Sequence, residues 1–276
     1  MSYIPSVRAQ TLARRLAKLR EEAGYSITQA AAMLGWSRAK LGHIETGRTR
    51  PKPDAVRRIL DVYGVTSPER DALIALAEQA ETRGWWTAYR DLLDGPYVAL
   101  EDAAATISQW SPLVVPGLLQ TTDYARALLA SVGEETDVER ALRARANRQL
   151  VLRRGKDAPH LHVVLEESVL HRQVGGPDVM RDQLYHLAAE AARPNVTVQL
   201  LPMSTGAHPG LEGPFVLFSF AGPMQPDVAY SEGVHGVVYL EDAAKVGRCR
   251  LAFEALKHMA LGPDETAEQL RTVAKQ

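Results

Sequence analysis

Cysteine is all but missing: Cys249 is the only one in 276 residues. An internal disulfide is therefore impossible, and nothing points to an oxidising compartment. No apolar run approaches the roughly 20 residues that a membrane span needs. Residues 1–8 lack the hydrophobic core of a signal peptide. Cytoplasmic residence without membrane contact is the expectation. The glycine-rich fingerprints of dinucleotide sites and P-loops are absent, which removes the usual nucleotide motifs. There is no internal repeat and no low-complexity tract. Net charge is also nearly absent, at −1, but that value conceals an imbalance. Residues 1–60 carry twelve Lys and Arg against four Asp and Glu, a net of +8. The remaining 216 residues carry 20 against 29, a net of −9. A basic head on an acidic body is the footprint of a domain that seeks polyanions.

What the head contains is a helix–turn–helix pattern between Gly24 and Arg48. Residues 28–34 read as a short helix, stopped at Gly35 in the left-handed conformation that glycine adopts cheaply. Trp36 is an apolar turn residue. Ser37 opens a second helix as its N-cap, with residues 38–45 as its body. Leu41 and Ile44 share one face, leaving Arg38, Lys40 and His43 for the other. A short helix, a glycine turn and a second helix with polar residues on its leading edge suit the major groove of double-stranded DNA. The basic loop of Arg48, Arg50 and Lys52 is placed to meet phosphates. Leu12, Leu16 and Leu19 form an apolar stripe before the motif, and Val56, Ile59, Leu60 and Tyr63 form another after it. A plain helical hairpin with solvated charges is the bland alternative, and the charge imbalance argues against it.

Residues 8–65 resemble the Cro/C1-type (XRE) helix–turn–helix family. The resemblance is carried by Ala23-Gly24-Tyr25-Ser26, Leu34-Gly35-Trp36-Ser37 and Ile44-Glu45-Thr46-Gly47-Arg48. It implies that Arg38, Ala39 and His43 read bases, with Lys40 beside them, and that Ser26, Thr46 and Arg48 touch phosphate. Ile27 departs from the glutamine usual in that family, and Thr28 or Gln29 is the available substitute. Glu45 is expected to close the second helix structurally.

The chain is too long for a lone DNA-binding module of about 60–80 residues. The expected fold class is multidomain: an all-α helix–turn–helix domain at residues 1–82, then an α+β domain with about five strands at 83–276. A helix starts at Ser67-Pro68-Glu69 and runs to about Thr82. Gly84 to Pro96 reads as the junction, and its Trp85 and Trp86 as packing. Residues 97–110 are alanine-rich and helical in spacing, followed by an apolar connector at 111–120. Thr121 or Thr122 caps the next helix. Residues 137–154 form an arginine-rich helix whose charge is most simply solvated. Strands are expected at 160–165, 196–201, 215–220, 228–230 and 237–240, the last two joined around Glu232-Gly233. Helices are expected at 177–193, 241–261 and 264–274.

Candidate chemistry in this second domain is sparse. His160 and His162 alternate on one strand face, but no Cys or carboxylate lies at a metal-ligand spacing. Glu166, Glu167 and His171 read as ordinary helix-start charges. The glycine-rich loop at 203–214 holds His208 and Glu212 and is expected to act as a flexible cover over a ligand or partner site. Cys249 reads as a buried helix residue. No catalytic set, cofactor or metal is expected. Residues 85–262 also resemble the domain appended to many actinobacterial XRE regulators, often described as antitoxin-like or WhiJ-like. The resemblance rests on residues 110–121 and 123–128, Glu166-Glu167-Ser168-Val169-Leu170, and Pro194-Asn195-Val196-Thr197-Val198, with residues 202–215. It implies a small partner protein encoded nearby. The favoured expectation is a non-enzymatic transcriptional regulator that binds an operator as a homodimer and takes its input through the second domain. An antitoxin-like protein that sequesters its partner and autoregulates its operon is the alternative.

Overall fold

Short-range capping and apolar spacing set the frame of both units. The computed structural model describes residues 7–79, 85–89, 92–93, 96–131, 137–221 and 225–276. The chain divides into one unit of Met1–Ala103 with Gly222–Gln225 and a second of Ala104–Ala221 with Pro226–Gln276.

The first unit is helical: α1 (Val7–Glu22), α2 (Ile27–Leu34), α3 (Arg38–Glu45), α4 (Pro53–Tyr63), α5 (Glu69–Gln79) and α6 (Tyr97–Ala103). The expected stripes face inward, and Leu12, Leu16, Leu41, Ile59, Leu60 and Leu73 share one core at complete burial. Burying each such side chain is worth about 1.5–3 kcal/mol. Gly35 ends α2 at φ +67, and its N–H closes on the helix carbonyls; that left-handed turn is what brings α3 across α2. Residues 80–84, where α5 was expected to end, lie outside the described residues, as does Gly95.

The second unit is built on a six-stranded mixed sheet. Its strands are β1 (Thr106–Ser111), β2 (His160–Glu166), β3 (Val196–Leu201), β4 (Phe215–Ser219), β5 (Val228–Gly233) and β6 (Gly236–Leu240). Their order is β3-β2-β1-β4-β5-β6. The first three run parallel, and β4, β5 and β6 follow antiparallel to their neighbours. Around them lie α7 (Thr122–Ser131), α8 (Val138–Gln149), the single turn α9 (Ser168–His171), α10 (Pro177–Glu190), α11 (Ala243–Met259) and α12 (Pro263–Val273). One sheet face packs Trp110, Val164, Leu217 and Ala229 with Val246, Phe253 and Leu256 of α11. The other holds Ile107, Val163, Leu165, Val198, Leu200 and Phe218, all buried.

Three expectations are corrected here. Residues 97–110 are not one helix: α6 stops at Ala103 and Thr106 begins β1, a central strand. Thr106 and Ile107 are β-branched, and Ile107 and Trp110 are buried on opposite faces, as alternation in a doubly covered strand requires. The alanine run ahead of them imposed a helical spacing on the sequence. The strand count is consequently six rather than five. The β5–β6 hairpin turns at Val234-His235, two residues beyond the expected Glu232-Gly233.

Candidate nucleic-acid interface

Along the outer edge of α3, cations stand in the open without carboxylate partners. Ser37 caps the helix, its hydroxyl accepting from the Lys40 N–H at 3.2 Å. Leu41, Ile44 and Glu45 turn inward, while Arg38, Ala39, Lys40 and His43 are exposed. Lys40 leans back over the turn, its Nζ 3.9 Å from the centroid of the Trp36 ring. That cation–π contact is worth about 0.5–1 kcal/mol at an exposed site. Arg58 approaches the same ring at 5.4 Å. The edge left for bases is therefore Arg38, Ala39 and His43.

Three arginines elsewhere in the unit are neutralised locally. Arg15 meets Glu69 at 2.5 Å, Arg57 meets Glu78 at 3.0 Å and Arg70 meets Asp61 at 2.7 Å. Among the described residues no hydrogen bond or ion pair holds Arg38, Arg48 or Lys52, and all three are exposed. Arg50 is half-buried. The unit thus concentrates its uncompensated positive charge on the α3 face and the loop behind it, where a polyanion would lie.

Two hydroxyls assigned to phosphate are turned to other work. Ser26 caps α2: its Oγ accepts from the Gln29 N–H at 3.3 Å and donates to Gln29 Oε1 at 2.8 Å. Thr46 donates to the Gly42 carbonyl at 2.7 Å, closing the end of α3. Phosphate oxygens only accept, so a hydroxyl whose proton is committed inside the chain is a poor contact. The same capping box fixes the Gln29 amide, because Oε1 also accepts the Ser26 N–H at 2.9 Å. Its Nε2 is then the outward donor near the start of α2. Ile27 is packed against the core, and Gln29 is the exposed amide nearest to it in sequence. Thr28 is exposed beside it.

Glu45 is structural, through partners that the sequence did not disclose. Its buried carboxylate accepts from Arg20 Nε at 3.0 and 3.1 Å and from the Tyr63 hydroxyl at 3.0 Å. This ties α1 and α4 to the end of α3. Burial and the Glu45 charge push the Tyr63 phenol well above its ordinary range.

The second unit shows the reverse arrangement. The 203–214 loop is pinned to the ends of the parallel strands, so the expected flexible cover is corrected. Trp110 Nε1 donates to the Gly210 carbonyl at 2.9 Å. A Cβ on Gly210 would stand 2.6 Å from the indole, so only glycine fits. The Met203 N–H donates to Glu167 at 2.8 Å. His208 is not turned to a cleft: its side chain is 4% exposed, with its ring edge-on to Trp110 at 5.3 Å. Its Nδ1 accepts from the Gly210 N–H at 3.2 Å, so the neutral ring carries its proton on Nε2, 3.9 Å from Glu166. Glu166 in turn accepts from the Ser168 hydroxyl at 2.8 Å. Ser168 therefore bonds a carboxylate rather than the imidazole, which is not a nucleophile–base pair. Glu212 remains exposed.

The remaining candidates are internal fastenings. Arg145 donates to Gln120, Arg126 pairs with Glu139, and Arg153 meets Glu190 at 2.9 Å. His162 shares a 2.7 Å bond with Gln199, and burial lowers its pKa, whereas His160 and His171 are exposed. Among the described residues no group of three or more His, Cys, Asp or Glu is placed to hold a metal. Trp85 packs edge-on against Trp86 and Tyr89, at 6.2 and 6.0 Å between centroids. Cys249 is half-buried rather than buried, and burial pushes its thiol pKa up. No described helix is long and apolar enough to cross a membrane.

Two capped helices about a left-handed glycine, with an exposed basic edge on the second, define a helix–turn–helix DNA-binding regulator. A helix-turn-helix domain family matches residues 11–73 accordingly. The second family is a domain of unknown function (DUF5753), which matches residues 95–272, more than half of the chain. The chain belongs to that family. No curated protein and no solved structure matches it.

Proposed function

We propose that the protein is a sequence-specific transcriptional regulator that binds its operator as a homodimer and takes an input through its second unit. The observation that carries this reading is the exposed α3 edge of Arg38, Ala39 and His43, flanked by Arg48 and Lys52 without carboxylate partners. Arg38 follows the N-cap directly, the end of a recognition helix nearest the base edges, and its fork matches O6 and N7 of guanine. Ser37, Lys40, Arg50 and Gln29 border this edge and serve the backbone.

A dimer follows from surface area. A single small module buries about 600–1,000 Å² on DNA, and two heads one helical turn apart double that while matching a pseudo-palindrome. The second unit is read as a binding body rather than an enzyme, because Glu166, Ser168 and His208 are bonded to one another or buried. Its input is a small partner protein or a ligand, in keeping with the resemblance of residues 85–262 to the body of WhiJ-like XRE regulators.

The experiment is selection of bound fragments from a randomised duplex library with the full chain. Enrichment of a pseudo-palindromic motif is expected. Recovery of unenriched sequence would overturn the reading.

A further inference from the structure

The two edges of the six-stranded sheet are treated differently. On the β3 edge the backbone is covered. The Leu200 carbonyl accepts from the Leu261 N–H at 2.8 Å, and the Leu200 N–H donates to the hydroxyl of Thr266 in α12 at 3.0 Å. Thr266 is itself fully buried. The other edge is β6, beyond which the sheet has no further strand among the described residues. Val237 and Val238 are 49% and 53% exposed there, and Val234 at the hairpin tip is wholly exposed.

The β5–β6 hairpin closes on the Gly233–Gly236 pair, so Gly236, Val238 and Leu240 face β5 through their backbone groups, and those of Val237 face the outer edge. Exposed edges of this kind are ordinarily blunted by lysine, proline or an inward charge. β6, Gly-Val-Val-Tyr-Leu, carries none of these.

We propose that β6 is the dimer contact, pairing antiparallel with β6 of a second copy about a two-fold axis near Val237 and Val238. This rests on the homodimer reading above. Two observations place a second copy at this edge rather than elsewhere on the body. An antiparallel pair of like edges is self-complementary, which is what a two-fold contact requires. The residues beyond 60 also carry a net charge of −9, so two bodies approach most cheaply where the facing strand is uncharged. The outcome is one continuous sheet through both copies, with valine packed on valine where water now stands.

Sedimentation of the full chain tests this, with Val237→Lys and Val238→Lys combined. Both positions are surface-exposed, so the fold is spared, which the circular dichroism spectrum checks. The wild type should sediment as a dimer and the double variant dissociate at least about tenfold more readily. A cross-link keeps the inference testable if the lysines perturb folding. In a Cys249→Ser background, Val237→Cys or Val238→Cys should give a disulfide dimer on oxidation, and Glu268→Cys should not. A dimer that persists in the lysine variant, or that neither cysteine captures, overturns the β6 assignment and leaves the dimer reading standing. A monomeric wild type overturns both.

Discussion

The head and the body of this protein treat polar side chains in opposite ways. In the head, the α3 face holds Arg38 and His43 in the open, while Arg15, Arg57 and Arg70 are paired with glutamates and aspartates. In the body, the groups with most chemical capacity are held inside the chain: Ser168 donates to Glu166, and His208 accepts from the Gly210 N–H within its own pinned loop. A side chain left unsatisfied at a surface holds free energy for a partner; one already bonded inside the chain does not. The comparison locates DNA recognition in the head and leaves the body its shape and its edges.

The strongest attack on the head is Glu45→Ala. It removes the buried carboxylate shared by Arg20 and Tyr63, leaving the Tyr63 hydroxyl without its acceptor and Arg20 with only the Tyr25 carbonyl and Glu21. Losing one member of such a set costs about 3–5 kcal/mol. Denaturant unfolding should show the head melting first while the body transition stays in place. The matching attack on the body is Gly210→Ala. A methyl group driven against the Trp110 indole should cost about 1–3 kcal/mol, read as a lower unfolding midpoint, with DNA affinity preserved. If Gly210→Ala abolished DNA binding and Glu45→Ala spared it, the division of roles would be reversed.

The head should lose stability at alkaline pH and the body at both ends of the scale, because burial raises the Tyr124 phenol there as well. The Tyr63 phenol is raised in the folded head, mainly by burial and then by the Glu45 charge. Its contribution is present below the ordinary value of 10.0 and is lost as pH climbs beyond it. In the body, burial lowers the pKa of His162 and His186. Their contribution is present above the ordinary 6.5 and is lost as pH falls below it. Calorimetry across pH should show an alkaline loss that Tyr63→Phe flattens and an acid loss that it leaves unchanged. A smaller effect sharpens the head alone. Arg48→Ala should weaken all duplexes alike and lower the salt slope by about one, measured by fluorescence anisotropy at several salt concentrations.

Legibility differed between the units for a physical reason. The helix–turn–helix is specified by neighbours in sequence: Ser37 as cap, Gly35 as stop, and leucines three and four apart. All of that can be read locally, down to the bounds of α3. The body depends on partners far along the chain. Trp110 and Gly210 are a hundred residues apart, and nothing near Gly210 announces that an indole lies above it. His208 reads as a surface residue because glycine-rich loops usually are exposed; in this largely exposed loop its ring is instead covered against Trp110, on a strand that the alanine spacing hides. Glu45 was legible as structural, but Arg20 and Tyr63 could be paired with it only in three dimensions.

The most direct test is Arg38→Ala titrated against a selected operator and against random duplex of equal length, at matched salt. A base-reading Arg38 should lose about 1–3 kcal/mol on the operator, with binding to random duplex nearly unchanged. Equal loss on both would show that α3 meets only the phosphate backbone, and would contradict the account.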